Sequence, residues 1–155
     1  MPVARGRYCP GVTVDELAAR EAVRDLVARY NANADSGRFD EVLALFAPDA
    51  VMVLDDETLE GRDAIAALFE RTRQRVVASG TPDRGAHLRH FTATHQIDVL
   101  DVDRAVGRCY FQVLMAHGLD HWGRYIDEYV RADGRWLFAS RRVTVDGRAS
   151  GSAFS

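Results

Sequence analysis

The chain reads as an α+β domain: a curved, mostly antiparallel sheet with helices on one face. Three observations carry that reading. In the first half, apolar residues recur at helical spacing after Thr13, after Arg38 and after Gly61. From residue 88 the pattern changes to long strand-like runs at 88–100, 104–117, 121–132 and 135–145. Those runs are separated by turn signals: Asp101-Val102-Asp103, Gly118-Leu119-Asp120 and Asp133-Gly134.

Each element has a local cause. Residues 1–12 show no periodicity and read as a flexible arm. Thr13-Val14-Asp15-Glu16 is a capping box, in which the Thr13 hydroxyl accepts from the Glu16 amide and Glu16 reaches back. The first helix then carries Val23, Leu26, Val27, Tyr30 and Ala34 on one stripe, and Gly37 suits its end. Phe39, Val42, Leu43 and Phe46 make a second, short helix that Pro48 stops. Residues 50–54 and 58–60 form a short hairpin. A third helix runs from about 62 to 78, with Ile65, Leu68, Phe69, Thr72 and Val76 inward. Ser79-Gly80 closes it, and a Pro/Gly loop leads to the meander. The domain proper spans 13–146, and 147–155 is small, polar and expected to be a flexible tail.

The last hairpin indicates which side of the sheet faces the helices. A two-residue turn at Asp133-Gly134 suits type I′ geometry. It pairs Arg131 with Trp136, Tyr129 with Phe138, Asp127 with Ser140 and Tyr125 with Arg142. Side chains alternate along a strand, so Tyr125, Tyr129, Trp136 and Phe138 share one face, with Asp127 and Arg142 as diagonal neighbours among them. The opposite face keeps Ile126, Val130 and Leu137. An exposed apolar face of that kind suits a sheet-mediated homo-oligomer.

Composition narrows the function classes. A chain of 155 residues, 47% hydrophobic and 28% charged, has room for one domain with one core. A net charge of −3 is too mild to suggest nucleic acid or an anionic membrane surface as partner. No apolar run near the N-terminus resembles a signal peptide and none is long enough to span a membrane, so a cytoplasmic setting is expected. Every basic residue apart from histidine is arginine, which rules out lysine Schiff-base chemistry and a P-loop lysine. No dinucleotide fingerprint, CxxC pair or GxSxG elbow occurs, and no cofactor is called for. Cys9 falls in the arm. Cys109 falls in an apolar strand and reads as a small buried hydrophobe.

Asp35, closing the first helix, and His90, opening the first long strand, are the main candidates for chemistry. A carboxylate bonded to one imidazole nitrogen leaves the other to take a proton from a substrate. Each residue also has a plainer role. Asp35 suits a turn. Tyr30 lies on the core stripe. Asp127 and Arg142 suit a structural bridge. Simple alternation groups His90 with Leu88, Thr92 and Thr94, opposite the more apolar Phe91, Ala93, Ile97 and Val99, and so turns it to solvent unless a β-bulge resets the parity. His87 and His90 point to opposite faces. His117 and His121 flank a turn without a matching third ligand, so no metal site is expected.

Several stretches together resemble the SnoaL-like proteins of the nuclear transport factor-like superfamily. Ala28-Arg29-Tyr30 and Asp35-Ser36-Gly37-Arg38-Phe39-Asp40 resemble their first helix-turn-helix. Leu45 to Val51, Gly61 to Ile65, Arg89-His90, Gly123 to Glu128 and Asp133 to Trp136 fit the later elements. The resemblance spans about residues 13–146. It implies a cone-shaped fold with a central, largely apolar pocket, but the fold hosts many activities. Relatives by motif include dehydratases, a hexachlorocyclohexane dehydrochlorinase, polyketide cyclases and steroid isomerases. In the first two, an Asp at the Asp35 position orients a His base at the His90 position, and a Tyr at the Tyr30 position often donates to the substrate. Thr94-His95 departs from the usual pattern, and His95 is left without a role.

The resemblance therefore implies a cofactor-independent lyase or isomerase, dehydratase-like, acting on a small, mostly apolar molecule. His90, Asp35 and Tyr30 would be catalytic. Tyr125, Asp127, Tyr129, Trp136, Phe138 and Arg142 would line the substrate site. A non-catalytic small-molecule-binding or assembly subunit and a polyketide cyclase are the alternatives. A homodimer or homotrimer is expected.

Overall fold

The computed structural model describes residues 11–78 and 88–152. The elements follow in the order α1 (Val14–Asp35), α2 (Phe39–Leu43), β1 (Phe46–Val53), β2 (Thr58–Glu60), α3 (Gly61–Ala78), β3 (Arg89–Val99), β4 (Arg104–Met115), β5 (Gly118–Ala132) and β6 (Arg135–Arg148). Part of the arm with Cys9, the inward side of Val76, the Ser79-Gly80 helix end, the loop through His87 and the end of the tail lie outside the described residues.

The strands form one sheet in the order β2-β1-β6-β5-β4-β3. All neighbours are antiparallel except β1 and β6, which run parallel. The result is the predicted α+β architecture, as a mixed sheet that is not closed. α1 packs on β3 and β6, and α3 packs on β1. Between them lies a core of Val23, Val27, Tyr30, Phe46, Ile65 and Phe138, with further aromatic rings from β4 and β5.

Local chemistry sets the helix ends. Thr13 is the N-cap of α1, and its hydroxyl accepts from the Glu16 amide at 3.2 Å. Glu16 does not reach back; its carboxylate takes Arg20 at 2.6 Å instead. Thr13→Ala should therefore cost about 1 kcal/mol, read as a small drop in the denaturation midpoint. At the other end, the Gly37 amide donates to the Ala34 carbonyl and the Arg38 amide to the Asn33 carbonyl. This is a Schellman motif, and it needs the left-handed φ of 69° that Gly37 supplies.

The last hairpin forms as expected at its tip. Asp133 and Gly134 both have positive φ, 50° and 74°, and Tyr129 pairs with Phe138. One step further the register departs from the prediction. Tyr129 faces Phe138 but Glu128 faces Ser140, so Ala139 is an extra residue on β6. That bulge reverses the alternation. Asp127 therefore pairs with Arg141, not Ser140, and Tyr125 with Val143, not Arg142. Arg141 is fully buried and Arg142 is exposed, so Arg142 is not a pocket residue.

Three expected boundaries shift. β1 starts at Phe46 and passes through Pro48, where its register against β6 is irregular and a missing amide is tolerated. β5 begins at Gly118 rather than 121. β6 runs to Arg148, and the Ala149 amide donates to the Asp120 carbonyl, so the ordered domain extends past 146. On the outer face Ile126 is exposed and Val130 half-buried. Leu137 is buried, and next to it the Phe138 amide donates to the Leu45 carbonyl. Cys109 is buried, which pushes its thiol up to about 11.

Candidate active site

Asp35 is the last residue of α1. A carboxylate there faces the negative end of the helix dipole, which disfavours it by about 0.3–1 kcal/mol. A partner offsets this. His90 donates its backbone amide to Asp35 Oδ2 at 3.0 Å, and its ring Nδ1 lies 2.6 Å from Oδ1. Both carboxylate oxygens thus hold one residue, across 55 positions of sequence. The side chains are 9% and 16% exposed for Asp35 and His90. An ionised carboxylate only accepts hydrogen bonds, so Nδ1 carries a proton, and in the neutral ring Nε2 holds the lone pair.

The parity question for His90 is resolved by a bulge. Ala93 pairs with Tyr110 but Gln96 pairs with Arg108, so β3 holds an extra residue at Thr94-His95. Thr94 has φ 54°, a left-handed conformation that is strained for a β-branched residue. Upstream of it His90 is half-buried while Phe91 is exposed; downstream Ile97 is buried. The His90 ring lies 6.4 Å from Phe111, which stacks on Tyr125 at 4.6 Å.

The other predicted residues gather deeper, around Arg141. Its guanidinium gives Nε to Asp127 Oδ1 at 2.9 Å and Nη2 to Oδ2 at 2.8 Å. Its carbon lies over the rings of Tyr30, Tyr125 and Phe138 at 4.2, 4.0 and 4.2 Å. Tyr129 donates its hydroxyl to Asp127 at 2.9 Å. Burial alone would lower the Arg141 pKa, but the charge and hydrogen bonds of Asp127 outweigh it and hold the guanidinium protonated. Burial raises the Tyr30 phenol, and Arg141 partly opposes it. No hydrogen bond among the described residues joins Tyr30 to His90 or Asp35. Trp136 lies apart from both groups, half-buried beside a hollow of about 580 Å³ at the start of α1.

A third cluster went unread in the sequence. Val113 pairs with His121 but Leu114 pairs with Leu119, so Asp120 is an extra residue on β5 and both Asp120 and His121 turn inward. Asp120 is fully buried and takes His121 Nδ1 at 2.7 Å, His117 Nε2 at 3.2 Å and the Ser152 hydroxyl at 2.7 Å. Burial lowers the His121 pKa and Asp120 opposes that shift. Placing Asp120 in a turn hid this second carboxylate-backed imidazole. Among the described residues no three histidine, cysteine or acidic side chains form a metal ligand set.

A family model for a SnoaL-like domain matches residues 15–142. No curated protein matches the chain. Among solved structures, an NTF2-like protein with a cystatin-like fold from Novosphingobium aromaticivorans is 28% identical, with a TM-score of 0.69 over 88% of this chain and 93% of that one. A protein provisionally designated scytalone dehydratase from the same species is 20% identical, with a TM-score of 0.72 over 87% and 89%. The hexachlorocyclohexane dehydrochlorinase LinA-type3 of Novosphingobium barchaimii is 20% identical, with a TM-score of 0.70 over 88% and 92%. The last two are similar in fold.

Proposed function

The chain belongs to the SnoaL-like domain family, and on that premise we propose that it is a cofactor-independent lyase or isomerase that removes a carbon-bound proton from a small, mostly apolar molecule. The observation that carries this reading is the seating of His90 on both oxygens of Asp35. Nε2 takes the proton from an activated carbon. The C–H bonding pair becomes a new double bond. Either a leaving group departs with its own bonding pair, or the double bond shifts and the proton returns to another carbon. The carboxylate stabilises the imidazolium that forms, and partial burial keeps that interaction strong. Tyr30 is the candidate donor to a developing oxyanion. Two structural neighbours are named for eliminations, of water and of hydrogen chloride, which agrees with this chemistry.

The test needs no native substrate. Small cyclic ketones and chlorinated or hydroxylated carbocycles are incubated with the protein in deuterated water, and loss of carbon-bound proton signal is followed. Catalysed exchange or elimination supports the reading. Tight binding across the panel with neither would favour the non-catalytic alternative.

We also propose self-association through the outer sheet face. Phe91, Tyr110, Trp122 and Ile126 are exposed there, an apolar area that suits a second copy. Sedimentation should show a dimer or trimer that Trp122→Glu converts to monomer; a monomeric parent protein would remove the proposal.

A further inference from the structure

Arginines from two elements converge on a crevice away from His90. Its hollow, about 320 Å³, lies between α1 and β3, and its lining includes Arg20, Arg24, Arg108, His95, Gln96 and Asp98. At roughly 30 Å³ per water this holds about ten waters, enough for a small polyatomic ion.

The charges in it are poorly matched. Three arginines line it, against one acidic residue, Asp98. Arg108 makes its side-chain hydrogen bond to a neutral partner, with Nε 2.5 Å from Gln96 Oε1, and has no carboxylate within ion-pair distance among the described residues. Arg24 reaches Glu21 only at 3.8 Å, and both side chains are largely exposed, so that pair contributes little. Arg20 is tied to Glu16 through Nη2, but its Nε–H is buried and meets no acceptor among the described residues. A buried donor without an acceptor is costly.

The bulge in β3 builds this arrangement. The left-handed Thr94 reverses the alternation, so that His95 turns inward and Gln96 turns out to hold Arg108. Guanidinium groups fixed in this way suit planar or tetrahedral oxyanions, to which they donate in pairs. We propose that the α1–β3 crevice is a binding site for a small oxyanion, a phosphate or a carboxylate, distinct from the His90–Asp35 site.

His95 reports on occupancy. Its Nε2 lies 3.4 Å from the Tyr129 hydroxyl. Burial lowers its pKa; Asp127 raises it, and Arg141 and Arg24 lower it. The groups around it are Arg20 and Arg24 from α1, Gln96 and Asp98 from β3, Arg108 from β4, Tyr129 and Asp127 from β5, and Arg141 from β6. A bound anion favours the protonated ring, so its titration moves up, and by linkage the anion binds more weakly as pH rises through it.

The experiment titrates the full chain with inorganic phosphate, and separately with succinate, at ionic strength held constant with chloride. Backbone amides and the His95 ring are followed by NMR. Saturable shifts confined to Gln96, Asp98, Arg108 and His95 are expected with at least one of the two ions, and which ion saturates identifies the ligand class. Arg108→Gln should weaken binding by about tenfold or more, with Arg24→Gln as an independent variant on the helix. Arg73→Gln, on α3, should bind as the parent does. Shifts that never saturate or that chloride reproduces would overturn the site, as would unchanged affinity in both crevice variants. None of these outcomes depends on His90 being a base.

Discussion

Replacing His90 with Gln should lower catalysed proton exchange by about 10²–10⁴-fold, the usual contribution of a positioned acid–base group. Asp35→Asn should fall in the same range, for a different reason. An amide of the same shape can no longer compel the Nδ1–H tautomer or balance an imidazolium; in a hydrolase triad built on the same pairing, this change costs about 10⁴. Stability separates this effect from unfolding. Asp35 opposes the helix dipole, so Asn relieves about 0.3–1 kcal/mol while losing hydrogen-bond strength to His90. The melting temperature should barely move while activity collapses. A parallel loss of both would mean that Asp35 is structural only.

The largest effect on stability should come from Arg141. It is fully buried, bidentate to a fully buried Asp127, and surrounded by three rings. Arg141→Met leaves Asp127 charged and without its partner, which costs about 3–5 kcal/mol. A domain of this size has only about 5–15 kcal/mol in hand, so partial unfolding at room temperature is within reach. The double variant Arg141→Met with Asp127→Leu removes both charges and should recover most of the loss, because well-packed apolar pairs often match buried ion pairs. Urea denaturation of the single and double variants checks this. If the single variant loses less than about 1 kcal/mol, the exposed-pair range, the burial argument fails.

The sequence was most legible where one residue decides one local conformation. Thr13 as a cap, Gly37 as a helix end and Asp133-Gly134 as a turn are each visible in a few letters, and each holds. It was least legible at the bulges. Thr94-His95, Asp120 and Ala139 are extra residues opposite ordinary partners, and nothing in their composition announces them. Each bulge inverts every side chain beyond it. One missed residue at Ala139 therefore exchanged Arg141 for Arg142, and one at Asp120 hid a buried carboxylate. Asp35 and His90 were paired on their chemistry and on the family resemblance, because no spacing rule relates residues so far apart. Those bulges also decide which side chains reach the interior, so this is where the chemistry of the fold is set.

Proton abstraction by this dyad requires that Asp35 fix the His90 imidazole with its proton on Nδ1 and its lone pair on Nε2. Nitrogen-15 NMR of the histidine rings, with and without Asp35→Asn, measures that directly and requires no substrate. The expected result is a His90 ring protonated at Nδ1 in the parent protein and a mixed or reversed tautomer in the variant. A ring protonated at Nε2 in the parent, or the same spectrum in both proteins, would contradict it.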